Sequence, residues 1–273
     1  MPDLPAQTRL SATILLIRDA DEELEVFMVE RHHQIDFAEG ALVFPGGKLE
    51  ASDAALADHC RDAHLYSEAG NALRVAAIRE TFEECGVLLA RARGELELIG
   101  AQRLARISKL FRQKLLDDEA SMLELVESEG LELACDLLIP FAHWITPEFM
   151  PKRFDTHFFL AEAPGDQLAA HDGFESVDSI WTTIPNALEL ERTGQRTIIF
   201  PTLENVKKLG RSRRVDEALR SAKRDPIVTV LPVLDTDAKG ELWLEIPETA
   251  GYDTVRAPIS ALAGGPPGRG DES

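Results

Sequence analysis

The stretch VAAIRETFEECGV, Val75 to Val87, decides how the rest of the chain is read. Val75, Ile78, Phe82 and Cys85 recur at steps of three, four and three, the spacing of one apolar helix face. The pattern predicts a helix from about Leu73 to Cys85, with Gly86 placed to stop it. Glu80, Glu83 and Glu84 lie off that stripe. Residues three and four apart share a helix face, so Glu80 faces both of the other glutamates. Each like-charged pair costs about 0.2–0.5 kcal/mol when exposed. At an effective dielectric of about 20, two such charges about 4 Å apart repel by about 4 kcal/mol. A divalent cation reverses the sign of that cost. A solvated acidic face is the alternative.

The rest of the composition narrows the classes. A chain of 273 residues makes one large domain or two small ones. With 44% hydrophobic and 28% charged residues it can bury a sizeable core. No apolar run reaches about 18 residues, so no membrane span is expected. MPDLPAQTRL lacks a basic stretch followed by an apolar core, so no signal peptide is expected and the cytoplasm is the expected location. Cys60, Cys85 and Cys135 are widely spaced and read as reduced thiols, with neither a disulfide framework nor a zinc site implied. A net charge of −19 argues against a nucleic acid polymer as partner. It leaves room for a small phosphorylated substrate, because a bound metal can supply positive charge locally.

Along the chain, TRLSATILLIR (Thr8 to Arg18) and LEVFMVERH (from Leu24) read as a hairpin around the polar turn DADEE. ALVFPGG, Ala41 to Gly47, reads as a short strand ended by its Pro-Gly-Gly breaker. ASDAALADHC begins a short helix followed by a loop. From Ala101 to Cys135 the pattern is helical. Strands follow at LIPFAHWIT, at Arg153 to Ala163 and at Ser176 to Ile184. Pro185 opens a helix; TLENVKKLG and VDEALRSAKR read as two more; PIVTVLPVL and ELWLEI read as a strand pair. AGGPPGRGDES reads as a disordered tail, 261–273, after one domain spanning 1–260. The sum is a mixed α/β (or α+β) sandwich with a helical insertion at about 101–136.

FPGGKLEASD, Phe44 to Asp53, and RETFEECGV, Arg79 to Val87, together resemble the Nudix box, the signature of the Nudix hydrolases. That signature runs Gly, five residues, Glu, seven residues, then Arg-Glu-apolar-x-Glu-Glu-x-Gly-apolar. Gly47 stands at its first glycine, and Arg79, Glu80, Glu83, Glu84, Gly86 and Val87 match its second half. Asp53 replaces the first glutamate, Thr81 stands where an apolar residue is usual, and 25 residues separate Asp53 from Arg79. ERHHQIDFAEGALVFPGGKLEASD and WITPEFMPKRFDTHFFLA are similar to the branch with an interrupted box that includes coenzyme A diphosphatases of the peroxisomal type. The fuller coenzyme A pattern has a second basic residue before the glycine, where this chain carries Asp36 and Phe37.

The resemblance implies a Nudix α/β/α sandwich with a mixed sheet and C-terminal helices. It implies Mg²⁺ or Mn²⁺ held by Glu80, Glu83, Glu84 and the Gly47 carbonyl, with Arg79 bracing a carboxylate. Hard cations suit this donor set and neutralise the oxygens that repel water from a pyrophosphate. Arg79, Glu83 and Glu84 are the catalytic candidates, with Glu175 as general base and Asp172 or the box glutamates as rivals. Arg31, Gly46, Gly47 and Arg153 are the substrate-contacting candidates. Asp53 reads either as a helix N-cap or as part of the catalytic shell. His32, His33, His59 and His64 lack fixed ligand spacing and read as solvated loop residues; Trp144, Trp181 and Phe154 read as core.

The expected function is metal-dependent hydrolysis of a nucleoside diphosphate derivative, with coenzyme A or acyl-coenzyme A as the favoured substrate. ADP-ribose and NADH are the alternatives within that chemistry. A nucleotide-sensing module that does not turn over is the alternative of another class, against which the three glutamates argue. A homodimer is an open arrangement, suggested by the amphipathic RISKLFRQKLL.

Overall fold

A computed structural model of the protein describes residues 6–21, 23–30, 40–167 and 179–263. Strand β1, Thr8–Ala20, is the spine. Its residues Ile14 to Ile17 are fully buried, because layers cover both faces of the sheet there. β2 is Glu23–Glu30, β3 Leu42–Val43 and β4 Gly46–Lys48. One edge of β1 pairs antiparallel with β4 over Ser11 to Thr13, then with β2 over Ile17 to Ala20. The other edge pairs in parallel with β8, Arg153–Glu162. β7, Ile139–Ile145, and β10, Thr229–Val230, continue the sheet beyond β8, and β9, Ser179–Thr183, joins β2. The order β10-β7-β8-β1-β2-β3, with parallel and antiparallel pairs, makes the sheet mixed.

Each face carries its own core. Ala12, Ile14, Leu16, Phe27 and Phe159 pack under helix α2, Glu68–Cys85. Leu15, Val26, Met28, Phe158 and Leu160 pack under α6, Ile184–Arg192, α7, Phe200–Leu209, and α8, Val215–Arg224. This is the expected α/β/α sandwich. Among the described residues no helix is long and apolar enough to cross a membrane.

Helix α2 starts five residues before the expected Leu73. Ser67 caps it by accepting from the Gly70 N–H, so EAGNA is helix and not loop. It ends as expected, with Gly86 in the left-handed region at φ 70° and its N–H bonded to the Phe82 carbonyl. The helix is buried well beyond its apolar stripe. Asn71, Arg74, Arg79 and Thr81 are also buried, because a second layer covers the outer side. Thr81 fits there by donating its hydroxyl to the Ala77 carbonyl at 2.8 Å.

That outer layer is the expected insertion, and it is part of the first core. α3, Ala101–Ile107, runs through a π-turn, Ser108–Arg112, into α4, Gln113–Leu116; α5 is Met122–Ser128. Leu104, Ile107, Leu115 and Leu125 are buried in the first core with Phe111 packed against it, so part of the apolar face of RISKLFRQKLL is used within the chain, while Leu110 and Leu116 stay exposed. Three expectations are corrected. Leu131–Leu133 is a strand, β6, paired with β5, Ala90–Ala92, and not helix. Gly46–Lys48 is itself a strand, so Pro-Gly-Gly does not end the sheet. The stretch between Asp53 and α2 is no free loop: after α1, Ala51–Ala54, it forms 3₁₀ turns at Ala57–His59 and Ala63–Leu65. Leu56 and Cys60 are buried there, and the Arg61 N–H bonds the Leu133 carbonyl.

At the C-terminal end the expected strand pair holds in part: β11, Val233–Thr236, pairs with β12, Leu242–Glu245, but Thr229–Val230 of PIVTVLPVL leaves to join β7, and β13, Arg256–Pro258, adds a third strand to β11 and β12. Ala261 and Leu262, at the start of the expected tail, pack on the second core; residues 264–273 lie outside the described residues. Trp144 is core, with its indole N–H on the Tyr252 hydroxyl.

Candidate metal-binding active site

The site is assembled where β4 crosses the C-terminal half of α2. Gly46 and Gly47 lie opposite Thr13 and Ala12 of β1, in a strand too crowded for side chains. A Cβ at Gly46 would sit 2.5 Å from the Ala12 carbonyl oxygen. A Cβ at Gly47 would sit 2.3 Å from Glu80 Cδ and Oε1. The carboxylate of Glu80 therefore rests directly on the Gly47 backbone. The Gly46 N–H donates to Glu84 Oε2 at 3.0 Å.

Arg79 holds the remaining acids. Its Nε and Nη2 form a fork on Asp53, at 2.9 Å to Oδ1 and 3.1 Å to Oδ2. Nη2 also donates to the Lys48 carbonyl at 2.9 Å. Nη1 reaches Glu80 Oε1 and Glu83 Oε2, both at 3.1 Å. Asp53 is fully buried and accepts in addition from the Glu50 N–H at 2.8 Å, closing a capping box on α1. Asp53 is thus an anchor for Arg79 and the third residue of its helix, not the N-cap. One guanidinium ties both halves of the split signature together. Its planar, five-donor fork is what lets a single residue serve three carboxylates and a carbonyl.

The electrostatics are under tension. Burial pushes Glu83 up to about 7, with Glu80 adding to the rise and Arg79 opposing it. Burial also raises Glu80, against the pull of Arg79. Burial works against the charge on Arg79, but Asp53, Glu80 and Glu83 outweigh it and hold the guanidinium above its ordinary value. A divalent cation would relieve this crowding. The acids gathered around Arg79 and against β4 offer carboxylate oxygens, a donor type that suits hard cations such as Mg²⁺, Mn²⁺ or Ca²⁺.

A cavity of about 480 Å³ opens on these groups. Glu50, Arg79, Glu80 and Glu83 line one side, and residues 118–121 of the turn between α4 and α5, with Met122 and Glu124 of α5, line the other. Its walls are acidic, so an anionic ligand meets repulsion until positive charge is bound.

Two contributors go unread in the sequence. Arg112 donates to the carbonyls of Glu83 and Glu84, at 3.0 Å and 2.7 Å, and so fixes the last turn of α2. It sits in the π-turn, whose altered pitch aims it at α2, and nothing in the local pattern signals that. The second is the turn 117–121, whose Asp118 takes φ 55° at the cavity wall.

Other expected residues stand apart. Arg153 donates Nε to the Thr146 carbonyl and Nη1 to the Ala6 carbonyl. It lies opposite Thr8, four residues along β1 from Gly47's partner Ala12, or about 13 Å. Its guanidinium is therefore tied to backbone, away from the acids. Trp181 packs tilted against Phe27 with Arg18 over its ring, on the rim of the first core. Arg31, His32, His33, Asp36, Phe37, Asp172 and Glu175 lie outside the described residues.

Residues 57–209 match the family described as NUDT19 Nudix domain. Among curated proteins, the chain is 24% identical over 209 residues to acyl-coenzyme A diphosphatase NUDT19 of Xenopus laevis, covering 61% of this chain and 54% of that protein. The protein of the same name from Gallus gallus is 26% identical over 211 residues, covering 61% and 56%. The chain spans about half the length of these relatives. Among solved structures, a NUDIX hydrolase from Alicyclobacillus acidocaldarius is 27% identical, covers 79% of this chain and 96% of its own, and superposes with a TM-score of 0.59. The matched segment contains α2 with Arg79 and all three glutamates; Gly46, Gly47 and Asp53 precede it.

Proposed function

Because the chain belongs to the NUDT19 Nudix domain family, we propose that it hydrolyses the pyrophosphate bond of a nucleoside diphosphate derivative, with acyl-coenzyme A or coenzyme A as substrate. The observation that carries this reading is the gathering of acids where β4 meets α2: Glu80 packs on Gly47, Glu84 accepts from the Gly46 N–H, and Arg79 bonds both Glu80 and Glu83. Water adds to one phosphorus, the P–O–P bond breaks, and the second phosphate leaves. Coenzyme A would yield adenosine 3′,5′-bisphosphate and phosphopantetheine; an acyl-coenzyme A would yield the acylated phosphopantetheine.

Glu80, Glu83, Glu84 and the Gly47 carbonyl would hold the ion, Mg²⁺ or Mn²⁺. The ion would supply neutralisation of the phosphoanhydride oxygens and a fixed approach for water. The protein's own part is positional. Arg79 keeps Glu80 and Glu83 from splaying apart and is a positioning residue, since its donors are committed to protein oxygens. Gly46 orients Glu84. The acidic wall of residues 118–124 makes entry of the tetra-anionic substrate conditional on bound metal. Glu175 is our general base, and Arg31 our contact to the substrate phosphates. The choice of coenzyme A rests on the names of the curated relatives and on the branch resemblance. Three buried free thiols suit a reducing compartment such as the cytoplasm.

The test is a panel of acyl-coenzyme A, coenzyme A, ADP-ribose and NADH, each with Mg²⁺ and with Mn²⁺, read by chromatography of the products. The reading expects adenosine 3′,5′-bisphosphate from the coenzyme A compounds. Turnover of ADP-ribose alone would move the substrate; binding of all four without any product would remove the hydrolase.

A further inference from the structure

A second cluster of ligand-grade side chains stands on the same sheet face, outside the acidic site. His143 on β7 and His157 on β8 are direct cross-strand partners, and their rings stack at 4.1 Å between centroids. Asp155 lies two residues before His157 and so shares its face. Asp155 Oδ1 is 2.5 Å from His143 Nε2 and 3.7 Å from His157 Nε2. All three ligand atoms fall within 4.8 Å of one another. The other ring nitrogen of His143, Nδ1, is 2.8 Å from Thr229 Oγ1 on β10. That contact holds Nε2 toward the carboxylate. It is the arrangement in which an outer hydroxyl orients a ligating imidazole. The side chains are 16%, 23% and 32% exposed for His143, Asp155 and His157, sheltered but open to an ion from solvent.

The geometry points to a second metal site here, formed by His143 Nε2, His157 Nε2 and Asp155 Oδ1, that takes a borderline-soft divalent ion such as Zn²⁺. Bonds of about 2.0–2.1 Å in a tetrahedron place ligand atoms about 3.3 Å apart. The present separations bracket that value, so side-chain rotations suffice and the strands stay in register. Two imidazoles and one carboxylate select zinc-like ions over Mg²⁺, which prefers oxygen. The acidic site offers oxygen only, so excess Mg²⁺ competes for it and not for the two imidazoles. Three protein ligands leave one position for water. The ion would enter with loss of any proton shared between His143 and Asp155, and it would cross-link β7 to β8 beside the edge strand β10. The cross-strand register sets Thr229, His143, His157, Ala12 and Gly47 in one row. His157 is thus two strands from Gly47, about 10 Å, too far to share an ion with the glutamates.

The test is a Zn²⁺ titration of chelator-stripped full-length protein against a chromophoric competitor, in excess Mg²⁺ so that the acidic site is occupied. We expect one Zn²⁺ per chain. The affinity should fall at least 100-fold in His157→Gln and about tenfold in Thr229→Ala, with far-UV circular dichroism unchanged. Zn²⁺ should raise the melting temperature of the parent and not of His157→Gln. Independently of any variant, ¹⁵N spectra of the parent should show Nε2 of two of the seven histidines shifting together at one equivalent. No stoichiometric binding in excess Mg²⁺, or an affinity in His157→Gln and Asp155→Asn equal to that of the parent, overturns the site. Because the readouts are binding and spectra, the result stands whether or not the chain turns over coenzyme A.

Discussion

Replacing Gly47 by alanine should separate catalysis from stability. Gly47 has no left-handed backbone requirement, so an alanine there carries no strain of its own. Its Cβ would sit 2.3 Å from Glu80 Cδ and Oε1 and 2.5 Å from Oε2. Ordinary contact lies near 3.5 Å, so the carboxylate must retreat by about 1 Å. The obstacle is the tip of a flexible side chain, not backbone, so the fold adapts. A misplacement of about 1 Å at a catalytic group costs on the order of 100-fold in rate. Gly47→Ala should therefore lose about 100-fold in kcat while its melting temperature stays within a few degrees of the parent. Gly46→Ala is the contrast. Its Cβ would strike backbone, 2.5 Å from the Ala12 carbonyl and 2.6 Å from Thr13 Cα, so β1 or β4 must move. That variant should lose about 1–3 kcal/mol of stability. Shortening the acid in the double variant Gly47→Ala/Glu80→Asp should recover part of the rate by clearing the new methyl. Initial rates at saturating metal, paired with urea unfolding, measure both quantities. Full activity in Gly47→Ala would falsify the placement of Glu80 at the reacting centre.

Three further predictions follow from the same contacts. Arg79→Lys keeps the charge but loses the fork on Asp53, leaving a fully buried carboxylate without its partner; we expect a loss of about 3–5 kcal/mol in chemical denaturation, and a loss under 1 kcal/mol would contradict the bracing role. Arg112→Ala frees the carbonyls of Glu83 and Glu84, so the apparent Mg²⁺ affinity in a rate titration should drop about tenfold, with Arg112→Lys intermediate; an unchanged Mg²⁺ dependence would make Arg112 a structural residue only. Glu83 sits near 7 folded against about 4.5 unfolded, so the folded state binds the extra proton between those values, and metal-free stability should fall as pH rises from about 4.5 to 7. Relative to Glu83→Gln, which has no such titration, the parent should lose at most about 3 kcal/mol across that window, measured by urea unfolding in chelator; parallel pH profiles for the two proteins would refute the shift.

What the sequence reveals depends on whether the information is local. Helix α2, its apolar stripe and its stop at Gly86 follow from a 3.6-residue period and one left-handed glycine, both written in adjacent residues. The glutamate spacing is legible for the same reason. Strand β4 is not, because Gly46 and Gly47 look like a breaker until β1 supplies the hydrogen bonds and Glu80 the reason for bare backbone. Leu131–Leu133 reads as helix by composition and becomes a strand because β5 offers an edge. Arg112 reaches α2 only through a π-turn. Asp155 and His157 share a face through their two-residue spacing on β8, but His143 joins them only through cross-strand register, which no spacing along the chain encodes.

The interruption of the signature is tolerable for a physical reason. Lengthening the connection from seven residues to 25 costs about 1 kcal/mol of extra closure entropy. The added stretch returns more than that. It buries Leu56 and Cys60 in the first core, and a fully buried leucine alone contributes about 1.5–3 kcal/mol. The Arg61 N–H and the Asn71 side chain add hydrogen bonds, to the Leu133 and Ala63 carbonyls. The stretch thereby also lays the 3₁₀ turns against β6, which leads from α5 at the cavity wall. Asp53 and Arg79, 26 positions apart, are then brought to 2.9 Å with neither exposed to screening water. An interrupted box keeps its geometry because this one buried fork, and not the length of chain between its partners, fixes the guanidinium that Glu80 and Glu83 bond.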